Sequence, residues 1–245
     1  MTVLLLGGTG EARALAGLLI DAGVPVVTSL AGAVSPGVLP PGEIRIGGFG
    51  GVAGLVDHLR ENAIAQVVDA THPFAARISA HAATACDQAA VPLVRLSRPS
   101  WRRRPDASTW HWVADMAAAK RAAEKLGRRV FLSVGRRSAT EFAQWRSRYV
   151  LLRVVEEPEF PVPDSWEVLA VRGPFDLAAE RGLLLDRRID VMVTRDSGGS
   201  HTAAKLDAAA DLGISVVVVT RPADPPGVPL VQSVEAAMDW VLGAR

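Results

Sequence analysis

Two Rossmann-like α/β lobes, each a parallel sheet covered by helices, with the active cleft between them, form the fold class this chain predicts. Three observations predict it. Continuous β-branched apolar runs alternate with helical patterns along the chain, as strands buried on both faces do. The pattern is written twice in register: Val3 to Asp69 and Val130 to Asp196 both span 66 positions. The fifth run of each half ends alike, in RLSRP and VVTRP, and a similar helical stretch follows each, VADMAAAKRAA and VQSVEAAMDWV.

In chain order, the first half gives strands at TVLLLGG, VPVVTSL, EIRIGG, AQVVDATHP and VPLVRLSRP. The second half gives RRVFLSVG, RYVLLRVVE, EVLAVRGP, DVMVTRDSGG and ISVVVVTRP. Each run is closed by turn residues. The spacing predicts helices over Glu11–Ala22, Val52–Ala63, Phe74–Ala90, Ala139–Arg146, Asp176–Leu185 and Thr202–Leu212. An N-terminal NADP-binding lobe is expected over 1–110 and a C-terminal lobe contributing to substrate binding over 111–245, with the hinge in Ser100–Leu126.

With 245 residues, either lobe has enough chain to bury a core. Half the chain is apolar, yet no run approaches the roughly 20 apolar residues of a membrane span. MTVLLLGG lacks a basic segment and is too short for a signal peptide. A cytoplasmic protein with no membrane partner is expected. The single cysteine, Cys86, permits neither an internal disulfide nor a cysteine metal site, and no metal is expected. The net charge of +1 gives no reason to expect nucleic acid. Arginine is clustered, as in RPSWRRRP (Arg98 to Pro105). Such a cluster is either solvated surface or a site for an anionic ligand. A monomeric protein is compatible with these features.

Ligands of open α/β sheets sit beyond the carboxyl ends of the strands. There the first half carries Gly7, Gly8, Thr9, Gly10, Glu11 and Ala12. The glycines bring backbone N–H groups toward an oxyanion, and the following helix adds its positive end. The turn has the first two glycines of G-x-G-x-x-G and lacks the third. Glu11 is equally at home as a first-turn acid that stabilises its helix. Arg13 could offset its charge near a pyrophosphate. The second strand ends in Thr28, Ser29 and Ala31, with no acid of the kind that binds an NAD ribose. That leans toward NADP, with Ser29 and Ala31 on the adenosine side. After the fourth strand come Asp69, Ala70, Thr71 and His72. Asp69 or Thr71 could cap the next helix, with Pro73 in its first turn. His72 lies where a nicotinamide or its reacting partner would lie, and is a weak candidate for proton donation. The catalytic group is otherwise unknown.

The second half has Arg136, Arg172, Arg195 and Lys205 at or just after its strand ends, and a loop of Ser197, Gly198 and Gly199 rich in N–H groups. Thr202 is read as a helix cap and His201 as a surface or capping residue. SVGRR is an anion-facing turn with one glycine where the first half has two. No P-loop, H-E-x-x-H or Ser-His-Asp order is present. A nicotinamide is then the simplest carrier of chemistry.

Together LLGGTGEARALA, DATHPFAARIS, RGPF and RDSGG followed by TAAKLDAA resemble the precorrin-6A reductase family of cobalamin biosynthesis, including its cobalt-precorrin-6A relatives. The resemblance covers nearly the whole chain, with the motifs in the family's order. It implies NADPH as cofactor and reduction of precorrin-6A, or its cobalt form, to precorrin-6B. A hydride would go to one macrocycle carbon and a proton to its neighbour. The partner implied is a tetrapyrrole-derived polycarboxylate, which gives the arginines of the second lobe a purpose. The alternative of another class is a non-catalytic two-lobed NADP sensor or small-anion binding protein. A short-chain reductase is disfavoured, because no Tyr-x-x-x-Lys pair occurs; the only tyrosine is Tyr149.

Overall fold

The computed structural model describes residues 1–32, 39–200 and 202–243, so His201 lies outside the described residues. The chain forms two compact units, Met1–Arg98 with Pro222–Arg245, and Pro99–Arg221.

The first unit contains β1 (Thr2–Leu6), α1 (Gly10–Asp21), β2 (Val26–Leu30), β3 (Glu43–Ile46), α2 (Val52–Glu61), β4 (Ile64–Asp69), α3 (Ala76–Ala89) and β5 (Leu93–Leu96). The second contains β6 (His111–Val113), α4 (Met116–Leu126), β7 (Arg129–Ser133), α5 (Arg136–Ala139), β8 (Tyr149–Val154), β9 (Trp166–Ala170), α6 (Leu177–Asp186), β10 (Val191–Arg195), α7 (Ala204–Asp211) and β11 (Ser215–Val219). The chain then returns to the first unit with β12 (Leu230–Val231) and α8 (Val234–Leu242).

Both sheets are six-stranded and parallel, ordered β3-β2-β1-β4-β5-β12 and β9-β8-β7-β10-β11-β6. Each is the 3-2-1-4-5-6 order of dinucleotide-binding folds, with its switch point between β1 and β4 or between β7 and β10. The sixth strands are exchanged. β6 follows β5 in the chain but pairs with β11, and β12 follows β11 but pairs with β5. Parallel neighbours in one sheet need a crossover, usually a helix. The links after β5 and β11 contain no α-helix, and the second is proline-rich. Each link therefore carries the chain into the other sheet.

This corrects the expected boundary at 110/111. The chain changes unit at Arg98/Pro99 and again at Arg221/Pro222, so residues 99–110 belong to the second unit and 222–245 to the first. α8 lays Ala237 and Val241 into the same core as Ala12, Leu15 and Leu19 of α1. Leu55 and Leu59 of α2 pack with Ala82 and Ala85 of α3 over the other face. Phe131, Leu151, Met192 and Val218 build one face of the second core with Leu206 of α7. Two helices differ from expectation. α3 starts at Ala76 rather than Phe74, because the chain turns through His72–Phe74 first. The helix expected over Ala139–Arg146 is α5 running into a 3-10 turn, Thr140–Phe142, beyond which Trp145 packs edge-on against Phe142.

Candidate functional site

In the first unit the turn after β1 is clamped by both neighbouring strands. Gly7 N–H donates to Ser29 O at 2.9 Å, and Ala70 N–H to Leu6 O at 3.0 Å. The Gly7 N–H is thus spent within the sheet and does not face a ligand, contrary to expectation. Gly7 serves close approach instead, since a Cβ there would lie 2.9 Å from Thr28 Cγ2. Thr9 caps α1: its Oγ1 accepts from Ala12 N at 3.1 Å and donates to Ala70 O at 2.8 Å. Among the described residues no acceptor meets the N–H groups of Gly8, Thr9, Gly10 and Glu11. Gly8 has φ +108°, and among the described residues no atom outside its chain neighbours and the α1 backbone lies within 4 Å of a Cβ added at Gly8 or Gly10. Bare donors at a helix start with open space above them fit a dinucleotide pyrophosphate.

Glu11 does not oppose that anion with its full charge. Arg98, two residues past β5, donates to its Oε1 at 2.9 Å. Arg98, rather than Arg13, offsets the acid. Thr9, Glu11, Ala70, Thr71, Pro73, Leu96 and Arg98 enclose one small depression at this edge.

Asp69 ends β4 but turns inward. Its carboxylate accepts from Thr71 N at 3.1 Å and Thr71 Oγ1 at 2.7 Å, and forms a buried ion pair with Arg95. Arg95 also donates to Ser79 Oγ at 2.6 Å and to Asp224 at 2.5 Å, tying β4 to α3 and to the returning C-terminal segment. The Asp69 side chain therefore shapes the Ala70–His72 turn and does not reach outward, and neither it nor Thr71 caps α3. His72 is half-buried, and its Nδ1 accepts from Phe74 N–H at 3.2 Å, which puts the proton of the neutral ring on Nε2.

Ser29 is buried at the end of β2, and Ala31 stands exposed just beyond. Beside Ser29 lies a residue that the sequence reading passed over, its β3 partner Arg45. Arg45 donates to Gly47 O at 2.7 Å, Gly48 O at 2.8 Å and Ser29 Oγ at 3.4 Å, and stacks over Phe49 at 3.9 Å. His58 packs behind Phe49; burial first, and then the Arg45 charge, lower its pKa. A basic residue just before a strand-closing Gly-Gly was the available signal.

In the second unit, Arg195 and Lys205 both reach the turn after β7. A Cβ at Gly135 would lie 3.0 Å from Arg195 Nη2, and Lys205 Nζ donates to Ser133 Oγ at 2.9 Å. Burial lowers the Arg195 pKa to about 10, so it stays charged at neutral pH. Gly198 and Gly199 have φ +67° and +70°, which favours glycine, and Trp101 Nε1 pins the Ser197–Gly199 loop by donating to Gly199 O at 2.9 Å. Asp196, like Asp69, is consumed internally, by Ser100, Trp101 and Arg221. Arg136 turns to Glu156 and Glu159, at 3.1 and 3.0 Å, and Arg172 is exposed after β9. Phe175 of the RGPF stretch covers Arg153, which pairs with the buried Glu180. Thr202 does not cap α7, whose cap is Ala203.

Among the described residues there is no cluster of metal-ligating side chains, and no helix is long and apolar enough to cross a membrane.

Residues 2–242 match the family model described as Precorrin-6x reductase CbiJ/CobK. A Rhodococcus erythropolis protein named Precorrin-6A reductase is 47% identical over 240 residues, covering 98% of this chain and 96% of its own. A Mycobacterium tuberculosis protein of the same name is 48% identical over 242 residues, covering 98% and 97%. The solved structure of a CobK precorrin-6A reductase superposes with a TM-score of 0.90 at 39% identity, over 100% of this chain and 97% of that one.

Proposed function

Because the chain belongs to the precorrin-6x reductase family, we propose that it reduces precorrin-6A to precorrin-6B with NADPH. It is a reductase of cobalamin biosynthesis. The metal-free substrate is favoured over the cobalt form because the relatives at 47% and 48% identity carry the metal-free name.

One observation carries the assignment of cofactor to the first unit: the unfilled N–H groups of Gly8 to Glu11 stand at the switch point of a 3-2-1-4-5-6 sheet. When bound, NADPH supplies the hydride. The chain's own residues bind, neutralise and orient. Thr9 holds the turn rigid against Ala70, with Gly7 packed on Thr28. Gly8, Thr9, Gly10, Glu11 and Ala12 border the pyrophosphate, and Arg98 cancels the Glu11 charge beside it. Ser29 and Ala31 border the adenosine. The Asp69–Arg95 pair and Thr71 fix the turn that carries His72, the candidate proton donor, whose neutral ring holds its proton on Nε2. In the second unit Arg195, Lys205 and the Ser197–Gly199 loop hold the carboxylate arms of the macrocycle, with Arg136 and Arg172 at its margin.

The test is loss of absorbance at 340 nm when purified protein meets NADPH and precorrin-6A. NADPH bound but never consumed in the presence of substrate would mark a sensor and reject the enzyme.

A further inference from the structure

We propose that Arg45 is the residue that reads the 2′-phosphate of the dinucleotide and so sets the choice of NADPH over NADH. The inference rests on the reading of the first unit as the dinucleotide-binding one, and goes beyond it by naming the discriminating side chain.

Position comes first. β2 is the strand next to the glycine turn, and in this topology the adenosine ribose lies beyond its carboxyl end. Ser29 stands at that end, and its register partner on β3 is Arg45. The guanidinium comes within 3.4 Å of Ser29 Oγ. It is therefore beside the place where an NAD-specific unit carries an acid.

Charge is the second argument. Two other arginines at this edge are neutralised, Arg98 by Glu11 and Arg95 by Asp69 and Asp224. Among the described residues no carboxylate lies within salt-bridge distance of Arg45. Its partners, Gly47 O, Gly48 O, Ser29 Oγ and the Phe49 ring, are all neutral. They fix the fork in place and leave the positive charge uncancelled.

Pre-organisation is the third. Two carbonyls and a ring hold a long side chain whose rotamer freedom would otherwise be lost on binding a ligand. A planar guanidinium held in this way is suited to the paired oxygens of a phosphate monoester.

The experiment is calorimetric titration of the intact chain with NADPH, NADH, 2′,5′-ADP and 5′-ADP. The wild type should bind 2′,5′-ADP at least tenfold more tightly than 5′-ADP. In Arg45→Gln that ratio should fall to about one while the NADH dissociation constant stays unchanged, and Arg45→Lys should keep part of the preference. Equal weakening of NADPH and NADH in Arg45→Gln would make the residue a loop support and overturn the proposal. An undiminished ratio would overturn it too. A wild type that binds NADPH and NADH alike sinks the role of Arg45 and leaves the dinucleotide site standing; a wild type that binds neither dinucleotide sinks both.

Discussion

Arg98 donates to Glu11 at 2.9 Å, joining the end of the β5 edge to the first turn of α1. Both side chains are largely buried, at 14% and 17% exposure, so water screens the pair weakly. Arg98→Ala leaves an uncompensated carboxylate beside the N–H groups proposed to hold the pyrophosphate. NADPH binding should weaken about tenfold, or about 1.4 kcal/mol. Arg98→Ala with Glu11→Gln should recover most of that loss. A double variant as weak as the single one would mean that neutralisation is not what Arg98 provides.

Gly10 offers a cleaner probe of the turn than Gly8. Gly8 has φ +108°, so a valine there adds backbone strain of about 1–3 kcal/mol whatever binds. Gly10 is the first residue of α1 with open space at its Cβ. Gly10→Val should leave the thermal midpoint near that of the wild type and weaken NADPH binding by more than tenfold. Normal NADPH affinity in this folded variant would move the pyrophosphate elsewhere.

The strands and both glycine-bearing turns were legible because their signals are local: apolar runs, turn residues, register. The exchange of β6 and β12 was not. Leu230–Val231 is two residues long and His111–Val113 three, too short for any period to show, and their partners come from the other repeat. Pairings across long separations stayed hidden for a like reason. Nothing near Glu11 announces Arg98, 87 positions away, whereas Arg13 was close at hand. The strand-end position of Arg136 does not reveal that Glu156 and Glu159 take its guanidinium. The strand-end position of Asp69 makes it a cofactor-binding or capping candidate, and only the buried Arg95 shows that its carboxylate turns inward.

Cys86 gives a prediction in pH. Burial, and then the charge of Asp69, push its thiol up to about 12 from its ordinary value of 9.0. The folded state therefore keeps a proton that the unfolded state releases, and stability present below pH 9 is lost as pH rises toward 12. From pH 9 to 10 the loss should be about 1 kcal/mol. Tyr149, raised from 10.0 to about 12 by burial and its bond to Glu167, adds to the decline chiefly above pH 10. Urea unfolding of wild type and Cys86→Ala across pH 8 to 10 checks this, and the variant should show the shallower decline. Iodoacetamide at pH 8.5 should label the native thiol far more slowly than the unfolded one; equal rates would contradict its burial.

The last prediction separates the cations of the second unit by what already holds them. Arg195 and Lys205 lie against the turn after β7, Lys205 buried and bonded to Ser133 Oγ at 2.9 Å. Charge-assisted hydrogen bonds in such settings contribute roughly 1.5–3 kcal/mol each. If these two hold carboxylate arms of precorrin-6A, Arg195→Gln and Lys205→Met should each raise its Michaelis constant about tenfold or more. The turnover number should change less, since binding lost equally from ground and transition states appears in KM alone. NADPH affinity should stay close to wild type, because its proposed anchors are in the first unit. Arg136→Ala should have a smaller effect, since Glu156 and Glu159 already share that one-third-exposed guanidinium. Burial holds Arg195 near pKa 10, so its contribution should persist from pH 7 to 9 and fade above that. Steady-state kinetics with separately titrated NADPH decides the matter. Wild-type KM in both Arg195→Gln and Lys205→Met, or a loss of NADPH binding in its place, would remove the second unit from substrate recognition.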